Sequence, residues 1–273
     1  MNFAKTPALR ALARLSTPAR RLPSAITTSS RAFSSVPMVF QQVQRPESTF
    51  DHVTFEALTK EDAAVSHLQN SAYARPASDD RIANAKAAME AKGFVVHAVE
   101  DKNEAFHKIL ELIPETAHST TLEEVSFMDY LLSGKHKWNN VKGVIMSEKD
   151  PKKQGELRRS LGNSPDVFLT SMCAIGETDG SLTHADQTGT KTGPVTYGAE
   201  RVVVVAGSNK IVKDEHEAYK RTMEYCLPVV SAYGRKIFKM PSSTVTHYEV
   251  LRHVSPMSPG RVHVVLVKEA LGY

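Results

Sequence analysis

Residues 171–192 (SMCAIGETDGSLTHADQTGTKT) combine glycines, hydroxyl side chains and a lysine directly after a predicted buried strand. Glycines let backbone N–H groups approach a ligand, hydroxyls donate hydrogen bonds and lysine supplies positive charge, so the combination suits a phosphate or a carboxylate. Asp186 is the best acid or base candidate in this segment, and Lys191 would neutralise an anion. A hairpin with ordinary turn residues explains the same spacing equally well. The predicted ligand-binding residues here are Gly180, Thr183, Thr188 and Gly189.

A second candidate is the turn that follows four consecutive valines, residues 202–205. Such a run is typical of a central strand covered on both faces, and Gly207, Asn209 and Lys210 come soon after it. In open α/β sheets, ligands bind where the carboxyl ends of strands meet loops. If strands 167–170 and 202–205 are neighbours, Lys210 would stand near the first loop and neutralise an anion there. A solvated lysine in a tight turn is the alternative.

A third candidate lies at residues 118–121 (HSTT), where a predicted helix begins. Free N–H groups at a helix start favour an anion, so Ser119 and Thr121 are predicted ligand-binding residues. Plain capping by Thr121, with Glu124 three residues later, explains the same pattern without a ligand.

Metal and nucleophile chemistry have weaker support. His184 and Asp186 could supply two metal ligands, but the sequence identifies no third, so neither a metal site nor a cofactor is predicted. Cys173 could be a nucleophile beside His184, and a small buried thiol is the alternative. The G-x-x-x-x-G-K-[ST] phosphate loop and the G-x-S-x-G elbow are both absent from the sequence. With only two cysteines, Cys173 and Cys226, the chain has no disulfide framework and is alone a poor host for an iron–sulfur cluster.

The net charge of +4 at pH 7 arises at the N-terminus. Residues 1–33 hold six basic residues and no acidic one, and they are rich in serine and threonine. These features are typical of a mitochondrial presequence, and residues 31–35 (RAFSS) resemble a matrix-protease site cleaved after Phe33. Without residues 1–33, the chain has 28 basic and 30 acidic residues, so a nucleic-acid partner is no longer indicated. We therefore predict that the protein is located in the mitochondrial matrix. The alternative is that residues 1–33 are a disordered basic tail that binds membrane or nucleic acid.

The rest of the sequence predicts an α/β fold with a mostly parallel sheet flanked by helices, because strands alternate with capped helices. Residues 34–78 form a predicted lead-in or linker, and residues 79–273 a single α/β domain. No apolar run is long enough for a membrane span. Strands are predicted at residues 94–99, 144–146, 167–170, 202–205 and 261–268. Helices are predicted to begin at Asp79, Asp101, Thr121, Asp150 and Asp214, the last of them ending at Pro228.

Six segments of the sequence form a specific combination: 119–124 (STTLEE), 166–175 (DVFLTSMCAI), 179–183 (DGSLT), 186–189 (DQTG), 201–212 (RVVVVAGSNKIV) and 259–273 (PGRVHVVLVKEALGY). Together they resemble the LUD domain family, the lactate-utilisation domain, over residues 79–273. The resemblance implies an α/β fold of the sugar-phosphate isomerase and CoA-transferase-like group. It also implies a connection with bacterial L-lactate oxidation, in which iron–sulfur partners take part.

The iron–sulfur members of that family carry additional cysteine clusters, so this sequence resembles the cluster-free type. The leading hypothesis is a non-redox accessory or anion-binding subunit in lactate or related 2-hydroxy-acid metabolism. Its expected partners are a small anionic metabolite and an iron–sulfur or flavin protein. The sequence leaves open whether the chain also forms a homo-oligomer. A stand-alone enzyme acting on a phosphorylated or CoA-linked metabolite is the alternative. A structural or interaction protein with a vestigial cleft is a third hypothesis.

Overall fold

The computed structural model describes residues 54–113, 124–136 and 141–273. These residues lie within a unit that extends from Pro37 to Tyr273. The predicted presequence, the first part of the lead-in and two predicted ligand-binding residues, Ser119 and Thr121, lie outside the described residues.

The larger part of the fold is built on a four-stranded parallel sheet. Numbered in chain order, its strands are β1 (Val95–Val99), β2 (Val167–Thr170), β5 (Arg201–Gly207) and β8 (Val262–Val267). The order across the sheet is β1-β8-β5-β2, and all three pairs are parallel. The four valines of residues 202–205 are fully buried on β5, which confirms the predicted central strand.

A second, mixed sheet contains β3 (Ala174–Gly176), β4 (Leu182–Asp186), β6 (Ile211–Val212) and β7 (His247–Leu251). Its order is β6-β3-β4-β7, with β3 parallel to β6 and antiparallel to β4, and with β7 antiparallel to β4. Strands β3 and β4 form a hairpin within residues 171–192. This agrees with the alternative given above, in which a hairpin explains the spacing of the glycines and hydroxyl residues. The sequence does not predict this sheet, because strands of two to five residues carry too little periodicity.

Among the described residues before residue 165, the structure has helices α1 (Phe55–Glu61), α2 (Asp79–Glu90), α3 (Lys102–Leu112), α4 (Phe127–Leu132), α5 (Val141–Ser147) and α6 (Pro151–Ser160). Asp101 and Asp150 cap α3 and α6 through their carboxylates, as predicted. Helix α2 begins at the predicted residue, but its N-cap is Ser78.

The predicted strand at residues 144–146 is wrong, because these residues belong to helix α5. Ile145 is buried, whereas Val144 and Met146 are more than half exposed. A run of three apolar residues carries no period that would distinguish a strand from a helix with one inward residue.

The last helical segment continues through the predicted stop at Pro228. Helix α7 (Glu215–Arg221), capped by the Asp214 carboxylate as predicted, passes into a π turn (Thr222–Cys226) and then into helix α8 (Leu227–Phe238). Pro228 stands at the start of α8, where a missing N–H is tolerated and the wider π turn leaves room for the ring.

The parallel sheet is buried on both faces. Val203 and Val205 point into one apolar cluster with α3 and α4, and Val202 and Val204 into another with α2 and the second sheet. A third cluster joins α1 and the 3₁₀ turn after it to the π turn and α8. The predicted fold class, α/β with a mostly parallel sheet flanked by helices, is confirmed. Within the described ranges, no helix has the length and apolar character needed to cross a bilayer.

Candidate functional site

The carboxyl ends of β2 and β5 lie side by side because the two strands are parallel neighbours. Ser171 follows the last residue of β2, and a 3₁₀ turn, Ser208–Lys210, follows the last residue of β5. Lys210 Nζ donates a hydrogen bond of 2.8 Å to Ser171 Oγ. The structure therefore places Lys210 beside the first loop, as the sequence predicts.

Lys210 is buried, with 2% of its surface exposed, so the alternative of a solvated lysine is wrong. Burial, with the charge of Arg221 as the second cause, lowers the pKa of the Lys210 ammonium to about 8. Desolvation disfavours the charged form of an amine, which is why this pKa falls.

Gly207 and Asn209 hold the turn that carries Lys210. A Cβ at Gly207 would lie 2.2 Å from the backbone nitrogen of Leu271. Asn209 Oδ1 accepts a hydrogen bond of 3.1 Å from that same nitrogen, and Asn209 Nδ2 donates one of 3.1 Å to the Gly272 carbonyl. The amide of Asn209 is therefore engaged by the chain itself, and both residues position Lys210.

Gly180 and Thr183 belong to the β3–β4 hairpin. Gly180 has a φ of +66°, and a Cβ there would lie 2.5 Å from the Ala88 carbonyl oxygen of α2. Thr183 is fully buried on β4. These contacts give Gly180 a steric role at the hairpin turn, where only glycine fits the conformation and the close approach.

Asp186 organises the loop that leaves β4. Its carboxylate accepts hydrogen bonds from the backbone N–H groups of Thr188, at 3.2 Å, and Lys191, at 3.1 Å. Burial opposes the charge, but these backbone hydrogen bonds outweigh it and lower the pKa of Asp186. A carboxylate held in its ionised form is a weak general acid or base near neutral pH, so the structure favours a positioning role. Gly189, at a φ of +75°, lets the loop turn against His247.

The loop brings Lys191 to a cleft of about 540 Å³ between it and helices α5 and α6. We call it the lysine cleft. Three cationic side chains line it, Lys142, Arg158 and Lys191, and none of its described lining residues is acidic. The other lining residues are Val141, Ile145, Met146, Gly162, Pro165, Phe168, Thr188, Thr190 and Phe238. The cleft therefore offers an apolar wall and positive charge together.

No acidic side chain in the described lining of the lysine cleft balances its positive charge. Burial, followed by the charges of Arg158 and Lys191, lowers the pKa of Lys142 to about 8. Like charges along one cleft raise the local positive potential, and an anion would relieve it. The Thr188 hydroxyl donates to Asp186 Oδ1 at 3.2 Å and lies 2.8 Å from the Thr190 hydroxyl, which can then donate to an anionic oxygen in the same lining.

A second cluster of chemically active side chains lies beyond the Lys210–Ser171 contact. We call Cys173, Cys226 and Arg221 the thiol cluster. Arg221 Nη1 contacts the Cys173 carbonyl oxygen and lies 3.0 Å from Cys226 Sγ. Arg221 Nη2 donates to the Tyr73 carbonyl at 3.3 Å, and the guanidinium carbon lies 4.9 Å from the centre of the Tyr225 ring. Arg221 is fully buried.

The two thiols of the cluster share a hydrogen bond. That bond is the main cause that lowers the pKa of Cys173 to about 5, against the opposing effect of burial. The positive charges of Lys191 and Lys210 add to the lowering. The same bond, together with burial, raises the pKa of Cys226. Of the two thiols, Cys173 is therefore the more acidic and Cys226 the proton donor, and Cys173 is partly exposed.

His184 lies on β4 with 1% of its surface exposed. Its Nδ1 is 3.4 Å from Glu249 Oε2, and burial, with Lys191 as the second cause, lowers its pKa. Within the described residues, no group of three or more His, Cys, Asp or Glu side chains is arranged to hold a metal ion. His184 and Asp186 thus gain no third ligand in this part of the chain.

The sequence does not mark Lys142, Arg158 or Arg221 as site residues. Lys142 precedes the segment wrongly predicted as a strand, and Arg158 belongs to a helix that is basic along most of its length. Arg221 stands in the middle of a helical pattern where basic residues are ordinarily solvated. A sequence signal that could find Arg221 is its five-residue spacing from one of only two cysteines.

Comparison with known proteins identifies the family. A family model described as the LUD domain matches residues 82–267. Among solved structures, a DUF162 family protein from Deinococcus radiodurans is 11% identical, with a TM-score of 0.42; the match covers 70% of this chain and 99% of that one. No curated protein matches the sequence significantly.

Proposed function

This chain belongs to the LUD domain family, and from that membership and the lysine cleft we propose that it binds a small organic anion in lactate or related 2-hydroxy-acid metabolism. It acts there as a non-redox accessory or anion-binding subunit. The observation that carries the proposal is the convergence of Lys142, Arg158 and Lys191 on one cleft whose described lining holds no acidic residue.

The chemistry of the cleft fits a carboxylate or phosphate attached to an apolar body. Lysine and arginine form charge-assisted hydrogen bonds with anionic oxygens, and these are stronger than neutral ones. Ile145 and Phe168 supply the apolar wall next to those charges. Asp186 contributes indirectly, because its carboxylate fixes the backbone of Lys191.

We expect Lys142→Ala and Lys191→Ala each to weaken anion binding about tenfold, because each removes one charge-assisted contact. Isothermal titration of the full chain with L-lactate, a phosphorylated 2-hydroxy acid and acetyl-CoA measures this. Lys153→Ala is the matched control, because Lys153 lies on α6 but outside the lysine cleft. The proposal fails if none of the three anions binds the wild-type chain, or if both cleft variants bind as tightly as Lys153→Ala.

The same titration has an expected pH dependence. With a pKa of about 8, Lys142 is mostly charged at about pH 7 and mostly neutral at about pH 9.5. Since the anion binds the charged form, the dissociation constant rises as the pH rises through this range. Lys142→Arg keeps its charge, so its affinity should stay nearly constant there. A wild-type affinity that is equally constant would show that Lys142 does not contact the anion.

A second candidate function is a stand-alone enzyme acting on a phosphorylated or CoA-linked metabolite. The volume of the lysine cleft, about 540 Å³, favours it. Clefts of that size accommodate ligands much larger than lactate. Tight binding of acetyl-CoA or the phosphorylated acid, with no binding of L-lactate, would favour this second function.

The proposed location is the mitochondrial matrix, and the proposed partner is an iron–sulfur or flavin protein. The acid-free basic leader supports the location. The presence of only two cysteines supports a cluster-free subunit that depends on another protein for electron transfer.

We expect isolated mitochondria to import the full chain and to shorten it near Phe33, and a chain without residues 1–33 to stay outside. Purification of the imported form should recover an iron–sulfur or flavin protein, identified by mass spectrometry and visible absorbance. Recovery of a homo-oligomer alone would contradict the accessory role, and import of the shortened chain would contradict the presequence.

A further inference from the structure

The thiol cluster is separate from the lysine cleft, and the anion-binding function does not use it. None of Cys173, Cys226 and Arg221 lines the cleft. Cys226 Sγ nevertheless lies 3.9 Å from the Cys173 carbonyl oxygen, and both cysteines are free thiols. Two cysteines separated by 53 residues have come together around one buried cation.

The charge of Arg221 requires a negative partner. A guanidinium keeps its proton in proteins, and an unpaired buried charge is strongly unfavourable. In the described part of the chain, Arg221 forms no ion pair with a carboxylate. Its hydrogen-bond partners are the carbonyl oxygens of Cys173 and Tyr73 and, at 3.0 Å, Cys226 Sγ. A single negative charge on the pair of sulfurs satisfies this requirement.

The two cysteine residues differ in exposure. Cys173 is partly exposed, whereas Cys226 is 5% exposed. An accessible thiolate with a buried thiol in contact is the arrangement in which the first sulfur attacks and the second resolves.

We infer that Cys173 and Cys226 form a thiol–disulfide exchange site, in which Cys173 attacks a small disulfide such as oxidised glutathione and Cys226 resolves the product. Arg221 is a positioning residue, because it holds Cys226 Sγ and the Cys173 backbone together.

The exchange proceeds in two balanced steps. The Cys173 thiolate attacks one sulfur of the small disulfide; that S–S bond breaks, a mixed disulfide forms, and one glutathione leaves as a thiolate. Cys226 Sγ then attacks Cys173 Sγ, which forms the internal disulfide and expels the second glutathione. The one proton that the pair shared leaves with one of the two glutathiones. Two electrons pass from the protein sulfurs to the small disulfide, which is reduced.

The test incubates the full chain with oxidised glutathione and follows its intact mass and its free thiols. The wild-type chain is expected to lose both thiols and two hydrogens and to retain no glutathione. Cys226→Ser should stop at one bound glutathione on Cys173, and Cys173→Ser should keep its remaining thiol over the same interval. A second resolving variant, Cys226→Ala, guards against a local effect of the serine, and thermal melting shows whether each variant is folded.

Two outcomes would overturn the inference. One is a wild-type chain that keeps two free thiols in excess oxidised glutathione. The other is a folded Cys173→Ser chain that takes up glutathione as fast as Cys226→Ser does, because the attacking sulfur would then be the buried one.

The pH dependence of the reaction supplies an independent readout. The groups that interact electrostatically with Cys173 are His184 from β4, Lys191 from the loop, Lys210 from the 3₁₀ turn, Cys226 from the π turn and Tyr248 from β7, and Arg221 contacts its carbonyl oxygen. Alkylation of Cys173 by iodoacetamide should be nearly constant between about pH 6 and pH 8, whereas an ordinary thiol reacts about tenfold faster per pH unit there. A tenfold rise per unit at Cys173 would contradict a preformed thiolate.

Discussion

Replacing Arg221 by methionine is expected to lower the free energy of unfolding by about 3 kcal/mol. The carbonyl oxygens of Cys173 and Tyr73 lose their donor, and an unsatisfied buried acceptor costs about 1–3 kcal/mol. Contact between the guanidinium and the Tyr225 ring is lost as well. Removal of a buried charge offsets part of this loss, because that charge had to be desolvated. Urea denaturation of the full chain at about pH 7 measures the difference.

Arg252→Met is the matched control, because Arg252 is exposed and pairs with Glu215 on the surface. Surface ion pairs contribute little to stability, so this variant should unfold at the wild-type urea concentration. Arg221→Met should also slow the second step of the exchange with oxidised glutathione, because Arg221 contacts both Cys226 Sγ and the Cys173 carbonyl oxygen. Equal stability of the two variants would show that the buried guanidinium does not hold the thiol cluster together.

Gly207→Ala is expected to destabilise the chain by about 3 kcal/mol, the upper end of the range for overpacking. Its Cβ would meet the Leu271 nitrogen at 2.2 Å, Asn209 Oδ1 at 2.5 Å and the Glu269 carbonyl oxygen at 2.8 Å. Two of these three atoms are backbone atoms, so the end of β5 or the chain after β8 must move. The movement also carries Lys210 away from Ser171.

The chain contains a matched control for this substitution. Gly234 lies within α8, and a Cβ there would meet no atom within 4 Å. Gly234 is buried, but the open space around it leaves room for a methyl group, and alanine stabilises a position within a helix by about 0.5–1 kcal/mol relative to glycine. Gly234→Ala should therefore raise the melting temperature while Gly207→Ala lowers it, both measured by circular dichroism. A melting temperature for Gly207→Ala at or above the wild-type value would contradict the close approach at β5.

Much of the fold can be predicted from local patterns in the sequence. The four valines of residues 202–205 predict a strand buried on both faces, and Asp101, Asp150 and Asp214 predict helix starts that the structure confirms. Predictions fail where local preference and tertiary context disagree. Pro228 ordinarily ends a helix, yet here a π turn accommodates it. The strands of the second sheet are stabilised by their neighbours and leave almost no pattern in the sequence.

The candidate site is predictable only in part, because some of its residues are brought together by tertiary contacts that leave no local pattern in the sequence. Lys210 follows a strand and lies near the loop predicted for it, because parallel neighbours bring their carboxyl ends together. Lys142 and Arg158 reach the lysine cleft from helices whose faces the sequence does not distinguish. Asp186 has the residue type of an acid or base, but its backbone hydrogen bonds are visible only in three dimensions.

The π turn also affects how the thiol cluster should be sought in other sequences. Arg221 and Cys226 are five residues apart, a spacing that in a regular α-helix points two side chains about 140° apart. In a π turn the backbone hydrogen bond joins residues five apart instead of four. Side chains five residues apart then lie on the same side of the helix, as side chains four residues apart do in an α-helix. A straight helix with arginine and cysteine four residues apart would therefore present the same contact. The contact between arginine and cysteine is therefore compatible with two sequence spacings, R-x₄-C with a π turn and R-x₃-C without one, and a search should include both.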